Sequence, residues 1–330
     1  MQAAFDAGLG FRLLNEFQRE FPLAPAPYAV LAGPLGTTPA RVIEALAQFR
    51  DQGVLGRVGA VFAPNVVGAS TLAAMDVPAD RLAQVAAIVS ARAEVNHNYE
   101  REGQPNLWFV LTAESDAALE RAARDIEAAA GCAILLFPLV EEYRIDLGFA
   151  LDRVPGSEPR APMPAVSRPV LSQADRRLIA ALQRGLALDP HPYLKLAHDT
   201  GMTQHEVLQR LRDWIDSGVV RRFGLVLRHR ELGYRANAMV VWEVPDALVR
   251  GIGRALAQQP GVTLCYRRRA LPQWPFNLYC MIHGRERPEV LHRLEALRVA
   301  CGLDRYVSRV LFSRTRFKQR GAHYMPGSTR

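Results

Sequence analysis

Landmarks near the start of the chain return 165 positions later, and this repetition limits the available folds more than any single motif does. Pro27-Tyr28 recurs as Pro192-Tyr193, Gly36 and Thr38 as Gly201 and Thr203, Val42 as Val207, Gly53-Val54 as Gly218-Val219, and Arg57 with Gly59 as Arg222 with Gly224. A repeat this long implies two copies of one domain plan, and 330 residues suit two domains better than one.

Each copy opens with helical signals. Apolar period over residues 13–20 is followed by a second helix entered at Pro27-Tyr28, a turn at 33–36, and a third helix capped by Thr37 or Thr38 and closed by Gly53. That is a helix-turn-helix layout. A short ribbon follows in each copy, at 57–62 and 222–227, and then a βαββαβ pattern. The first copy has strands near 70–77, at both arms of a hairpin in 95–112 and at 133–137, with helices at 79–92 and 115–131. The second has strands near 237–244, in 262–283 and at 306–312, with helices at 246–259 and 287–301. The expected fold class is therefore α+β, each half a winged helix-turn-helix plus a ferredoxin-like sandwich. The expected boundaries are 1–62, 63–151, a linker at 152–170, 171–230, and 231–330 with a basic C-terminal tail. Prolines at 155, 159, 162, 164 and 169 keep the linker from forming a helix.

The hairpins carry the most specific signal. Residues 95–112 read VNHNYEREGQPNLWFVLT, and 262–283 read VTLCYRRRALPQWPFNLYCMIH. In a strand alternate residues share a face, so His97, Tyr99 and Arg101 point one way, and Leu264, Tyr266 and Arg268 repeat that face. One such hairpin is an ordinary solvated edge. Tyrosine and arginine returning in both copies argue for a site.

Charge separates the halves. Residues 1–165 hold 13 Arg against 20 Asp and Glu, a balance of −7, while 166–330 hold 28 Arg and Lys against 13 Asp and Glu, a balance of +15. Lys195 and Lys318 are the only lysines, so the positive charge is nearly all guanidinium, which grips carboxylates and phosphates in a planar fork. Cys132, Cys265, Cys280 and Cys301 show neither CxxC nor Cys/His ligand spacing, which points to free thiols rather than zinc or a disulfide framework. No basic-then-apolar leader and no membrane-length apolar run is visible, so a cytoplasmic protein is expected. P-loop, GxGxxG, HExxH and GxSxG motifs are absent, removing the usual signatures of nucleotide, flavin and zinc-dependent chemistry.

A helix-turn-helix followed by a ferredoxin-like domain resembles the Lrp/AsnC family of transcriptional regulators, which implies DNA binding. The third helix of each unit is poorly supplied for it. Residues 38–52 set Arg41 and Arg50 against Glu44 and Asp51, and residues 203–217 set Arg210 and Arg212 against Glu206, Asp213 and Asp216. Duplex affinity needs several phosphate contacts, and specificity needs Arg, Asn or Gln at base edges. Arg221, Arg222, Arg228 and Arg230 of the second wing are the remaining support for that reading, and no specific DNA partner is expected.

HNYER with NLWFVLT, CYRR with NLYCMIHG, a helix-turn-helix before each and RTRFKQRGAHY after the second sandwich together resemble the siroheme decarboxylases, in the fused NirDL form found in haem d1 biosynthesis of denitrifying bacteria. The resemblance spans nearly the whole chain. It implies removal of the acetate carboxyl groups on rings C and D of siroheme to give 12,18-didecarboxysiroheme, with no cofactor beyond the substrate's iron. It also implies an intramolecular pseudo-dimer, with further homo-oligomerisation open.

Siroheme is a flat apolar ring fringed by carboxylates, so its site should join an apolar slot to a rim of arginines. Arg267, Arg268 and Arg269 lie beside Leu271, Pro272, Trp274 and Phe276, and the chain returns past Arg314, Arg316, Lys318 and Arg320. Loss of carbon dioxide also needs a proton for the carbon left behind, and histidine has the fitting pKa. His97 and His283 are the candidates, as proton donors or as axial contacts to the iron. They are not equivalent, since Leu264 stands in place of His97 and Thr112 in place of His283. Tyr99 and Tyr266 orient carboxylates, relay protons or pack by their rings. A non-catalytic tetrapyrrole sensor shares all of these features.

Overall fold

A computed structural model describes residues 8–145, 148, 151, 166–228 and 230–325. Elements are numbered in chain order. The first half contains α1 (Leu9–Glu16), α2 (Pro27–Ala32), α3 (Pro39–Asp51), β1 (Leu55–Phe62), β2 (Ala69–Met75), α4 (Leu82–Ala91), β3 (Val95–Arg101), β4 (Leu107–Ala113), α5 (Asp116–Ala130) and β5 (Leu135–Ile145). The second contains α6 (Gln173–Arg184), α7 (Pro192–Thr200), α8 (Gln204–Asp216), β6 (Val220–Leu227), β7 (Ala236–Trp242), α9 (Asp246–Ala257), β8 (Val262–Arg268), β9 (Leu278–Gly284), α10 (Arg287–Cys301) and β10 (Ser308–Gln319). Among the described residues the same ten elements thus appear twice, as the repeat requires. Of the proline-rich segment, residues 152–165 lie outside the described residues, and 166–170 are irregular.

Local chemistry sets the ends. Thr38 and Thr203 cap α3 and α8, the latter with a full capping box through Glu206, and Ser115 caps α5. Gly131 and Gly302 close α5 and α10 in the left-handed region, which glycine enters without a Cβ penalty. The first helix ends earlier than its apolar period suggests, at Glu16 rather than residue 20.

The chain forms two compact units, each drawing on both halves: residues 1–68, 164–232 and 321–330 in one, 69–163 and 233–320 in the other. In the first, β1 and β6 pair antiparallel with Gly59 opposite Gly224. A Cβ on Gly224 would crowd the Gln18 carbonyl oxygen, so this repeated glycine marks a close chain approach. The repeated tyrosines exchange bonds: Tyr28 Oη donates to Ala187 O at 3.0 Å and Tyr193 Oη to Pro22 O at 2.8 Å. Gln183 clamps the chain end, its Oε1 accepting from the Tyr324 and Met325 amides and its Nε2 donating to Met325 O.

In the second unit the strands of both halves close into one barrel in the order β10-β3-β4-β2-β5-β8-β9-β7. Closure rests on the last strand of each half running further than its sequence pattern indicated. β5 pairs with β2 through Leu135–Pro138 and then with β8 as far as Ile145, and β10 pairs with β7 and then with β3. The exchanged ends seat on the other half's helices. Arg144 Nη1 donates to Ala257 O at the end of α9, and Lys318 Nζ to Ser90 O and Arg92 O at the end of α4. Cations at helix C-termini complement the helix dipole.

Candidate active site

Strand alternation sorts the barrel residues. One set, with Val95, Leu107, Phe109 and Leu111 or with Val262, Cys265, Leu278 and Cys280, packs under the helices. The other set joins Leu72, Trp108 and Phe137 of the first half to Met239, Tyr266, Trp274, Tyr279, Met281 and Leu311 of the second, without a helix residue. In a closed barrel that set is the interior.

A β-bulge near the start of each hairpin decides which polar groups join it. The β3–β4 register slips between Val95 and His97, and the β8–β9 register between Val262 and Leu264. A bulge leaves one residue unpaired and re-aims the side chains beyond it. Past the slip, Tyr99 stands opposite Trp108 and Tyr266 opposite Tyr279, both pairs on the inner face. His97 stacks on Tyr99, ring centroids 6.2 Å apart and 14° between planes. Arg101 lies 5.7 Å from the Tyr99 ring centroid, is only 8% exposed, and donates to Leu311 O at 3.1 Å. Burial pulls its pKa down, opposed by the nearby Tyr99 and Tyr266 phenols. Arg268 repeats the arrangement, 4.5 Å over Tyr266 and donating to Phe137 O at 2.5 Å. Its Nε is buried with no hydrogen-bond partner among the described residues.

His283 differs from its expected setting. Instead of an open strand face it occupies a buried position, 9% exposed, with Nδ1 2.8 Å from Thr263 Oγ1. Burial, then the charges of Arg101 and Arg293, lower its pKa to about 4. At neutral pH this imidazole is uncharged, so it is a poor proton reservoir and a good lone-pair donor.

The arginine triplet does not act as a unit. Only Arg268 turns inward; Arg267 Nη2 pairs with Asp246 Oδ1 at 2.6 Å, and Arg269 is an exposed loop residue. Strand alternation forbids three successive side chains on one face. Trp274 is not an open slot wall: it is 2% exposed, its Nε1 donates to Tyr279 Oη at 3.0 Å, and it packs edge-on to Trp108 at 5.4 Å. The basic tail is also engaged. Arg316 Nη1 donates to Gln319 Oε1 at 3.1 Å, with its backbone opposite Tyr99, Arg314 lies by Glu100 and Glu102, and Arg320 reaches Ala93 O. Sequence reading missed Thr263, Tyr279 and Asn237, the last standing across from His283 in the β7–β9 register.

Residues 67–144 and 231–318 match the family of AsnC-like ligand binding domains, and residues 11–55 and 175–221 match the siroheme decarboxylase NirDL-like HTH domain. Over 319 residues the chain is 46% identical to the siroheme decarboxylase NirDL subunit of Paracoccus denitrificans, spanning 95% of this chain and 96% of that one. The chain belongs to the siroheme decarboxylase NirDL family. A crystal structure of a siroheme decarboxylase NirDL superposes with a TM-score of 0.71 at 25% identity, covering 97% of this chain and 95% of that one. Another, NirDL in complex with an iron-uroporphyrin III analogue, gives 0.69 at 25% identity with 96% and 93% covered. Every side chain named above as a candidate for the tetrapyrrole site of this NirDL family member falls in the AsnC-like segments or just after them, and none in the helix-turn-helix segments.

Proposed function

We propose that this chain decarboxylates siroheme, removing the acetate carboxyl groups on rings C and D to give 12,18-didecarboxysiroheme, at the inner face of the barrel. The observation that carries this reading is the grouping around Arg101. A desolvated guanidinium from one half stands by a phenol from each half, Tyr99 and Tyr266, and exerts its charge on His283 of the other. Arg101 and Arg268 anchor substrate carboxylates, where the unpartnered Arg268 Nε supplies a donor. Charge-assisted bonds in a sheltered site are strong and geometrically selective.

In the reaction the bond between the acetate methylene and its carboxylate breaks, carbon dioxide leaves, and the electron pair spreads into the macrocycle. A proton then arrives on the methylene, leaving a methyl group. We assign delivery of that proton to His97, with the phenol of Tyr99 as relay, a reading supported by its part-exposed ring stacked on Tyr99. His283, neutral at working pH, suits the rival role of contact to the substrate's iron. No helix among the described residues is long and apolar enough to cross a membrane, and no cluster of three metal-ligating side chains occurs among them.

The test is anaerobic incubation of purified protein with siroheme, followed by mass analysis of the recovered tetrapyrrole. Loss of two carboxyl groups supports the reading. Siroheme bound tightly but recovered intact makes the chain a sensor and overturns it.

A further inference from the structure

The two bulges hold the same kind of buried polar pair with its chemistry exchanged. In the first half the bulged residue is Asn96, whose Oδ1 accepts from Thr112 Oγ1 at 2.8 Å. In the second the hydroxyl has moved to the bulge as Thr263, and an imidazole, His283, has taken the threonine's place at the same separation of 2.8 Å. Thr263 is wholly buried, so its hydroxyl has no water with which to exchange partners.

A threonine hydroxyl has one proton and two lone pairs. Thr263 Oγ1 is set to donate to Met281 O at 3.2 Å, and a carbonyl oxygen only accepts. With its proton given to Met281, Oγ1 meets the imidazole as an acceptor, and Nδ1 must then carry the ring hydrogen. Nε2 is left with the lone pair. Arg293 Nη1 adds a bond to His283 O at 2.9 Å, which fixes the backbone beneath the ring.

We propose that Thr263 is a positioning residue that locks His283 in the Nδ1–H tautomer, so that the ring's lone pair is on Nε2 and not on Nδ1. The role for substrate rests on the decarboxylase reading above; the tautomer does not. The arrangement accounts for a threonine, rather than the asparagine of the first half, at this bulge: a carboxamide can present NH₂ or oxygen to the ring and so leaves the tautomer open, whereas a hydroxyl already committed to a carbonyl only accepts.

The experiment uses the full chain labelled with ¹⁵N-histidine, as wild type, Thr263→Val and Thr263→Ser. Long-range ¹H–¹⁵N spectra distinguish the two tautomers, and His283→Asn assigns the signal. Wild type and Thr263→Ser should show His283 protonated on Nδ1, while Thr263→Val, of similar shape but without an acceptor, should shift toward Nε2–H. Siroheme turnover should fall at least tenfold in kcat in Thr263→Val, with KM little changed, and recover in Thr263→Ser. An Nε2–H ring in wild type, or an unchanged tautomer in Thr263→Val, overturns the proposal. A wild type with the expected tautomer and no turnover on siroheme leaves the Thr263 assignment standing and removes the decarboxylase reading instead. If Thr263→Val fails to fold, the wild-type and Thr263→Ser spectra still decide it, since both must show Nδ1–H.

Discussion

Arg101 and Arg268 make the same bond in opposite directions across the barrel: Arg101 Nη1 donates to Leu311 O on the strand exchanged from the second half, and Arg268 Nη1 to Phe137 O on the strand exchanged from the first. The bonds match, yet of the two only Arg101 shifts His283. The barrel is symmetric in its backbone and asymmetric in its chemistry.

This asymmetry predicts unequal effects of arginine substitution. Arg101→Met removes a desolvated cation together with its charge-assisted bond to Leu311 O, two effects that oppose each other, so stability should change by no more than about 3 kcal/mol. Siroheme affinity should drop at least tenfold, because a charge-assisted bond of about 1.5–3 kcal/mol is lost. Arg267→Gln loses only an exposed pair with Asp246, and its affinity should match wild type. Absorbance titration with siroheme at low salt compares them; equal affinities would take Arg101 out of the site.

His283 should leave a mark on acid stability. Its pKa is about 4 in the folded chain against 6.5 for the free group, so between those values the unfolded state binds the proton and the folded state does not. Its contribution is therefore complete above pH 6.5 and lost as pH falls toward 4. A shift of this size is worth up to about 3 kcal/mol at the bottom of the window. Urea unfolding from pH 7 to 4 should show a steeper decline in wild type than in His283→Asn, and parallel curves would contradict the buried neutral imidazole.

Gly253 sits inside α9, where alanine would ordinarily stabilise a helix by about 1 kcal/mol. Here an added Cβ would collide with the ring of Tyr143, carried by the exchanged end of β5. Gly253→Ala should destabilise by about 1–3 kcal/mol through overpacking. Tyr143→Leu in the same chain should recover part of that loss, so the double variant should unfold at higher denaturant than Gly253→Ala alone.

Much of this architecture was legible in the residues. Thr38, Thr203, Ser115, Gly131 and Gly302 mark helix ends through local hydrogen bonding and backbone freedom, which the sequence states directly, and the 165-residue offset carries the tandem plan. The barrel was not legible, because residues 139–145 and 313–319 pair with strands far away in sequence and read locally as polar chain after a finished strand. The correspondence of Tyr99 with Tyr266 and of Arg101 with Arg268 could be seen as repeated motifs. The burial of His283 could not, since it follows from a bulge at Thr263 and from the closure that brings Arg101 beside it. The arginine triplet misled for a related reason: alternation splits any run of three, and only Arg268 has the parity of the inner face.

The two histidines should fail in different ways. His97 is part-exposed and stacked on Tyr99, so His97→Ala should keep its fold and siroheme affinity and lose at least a hundredfold in product formation, a general acid being worth about 10²–10⁴ in rate. His283 lies in a buried polar seat, and truncation there removes its bond with Thr263 Oγ1 and leaves a cavity, so His283→Ala should also lose stability, by about 1–3 kcal/mol. If its imidazole contacts the substrate's iron, the absorbance spectrum of bound siroheme should change in His283→Ala and not in His97→Ala. Mass analysis after a single turnover adds the order of events: a monodecarboxylated product accumulating in only one variant assigns that histidine to the second carboxyl group. Full activity in either variant strikes that histidine from the chemistry, whatever its place in the barrel.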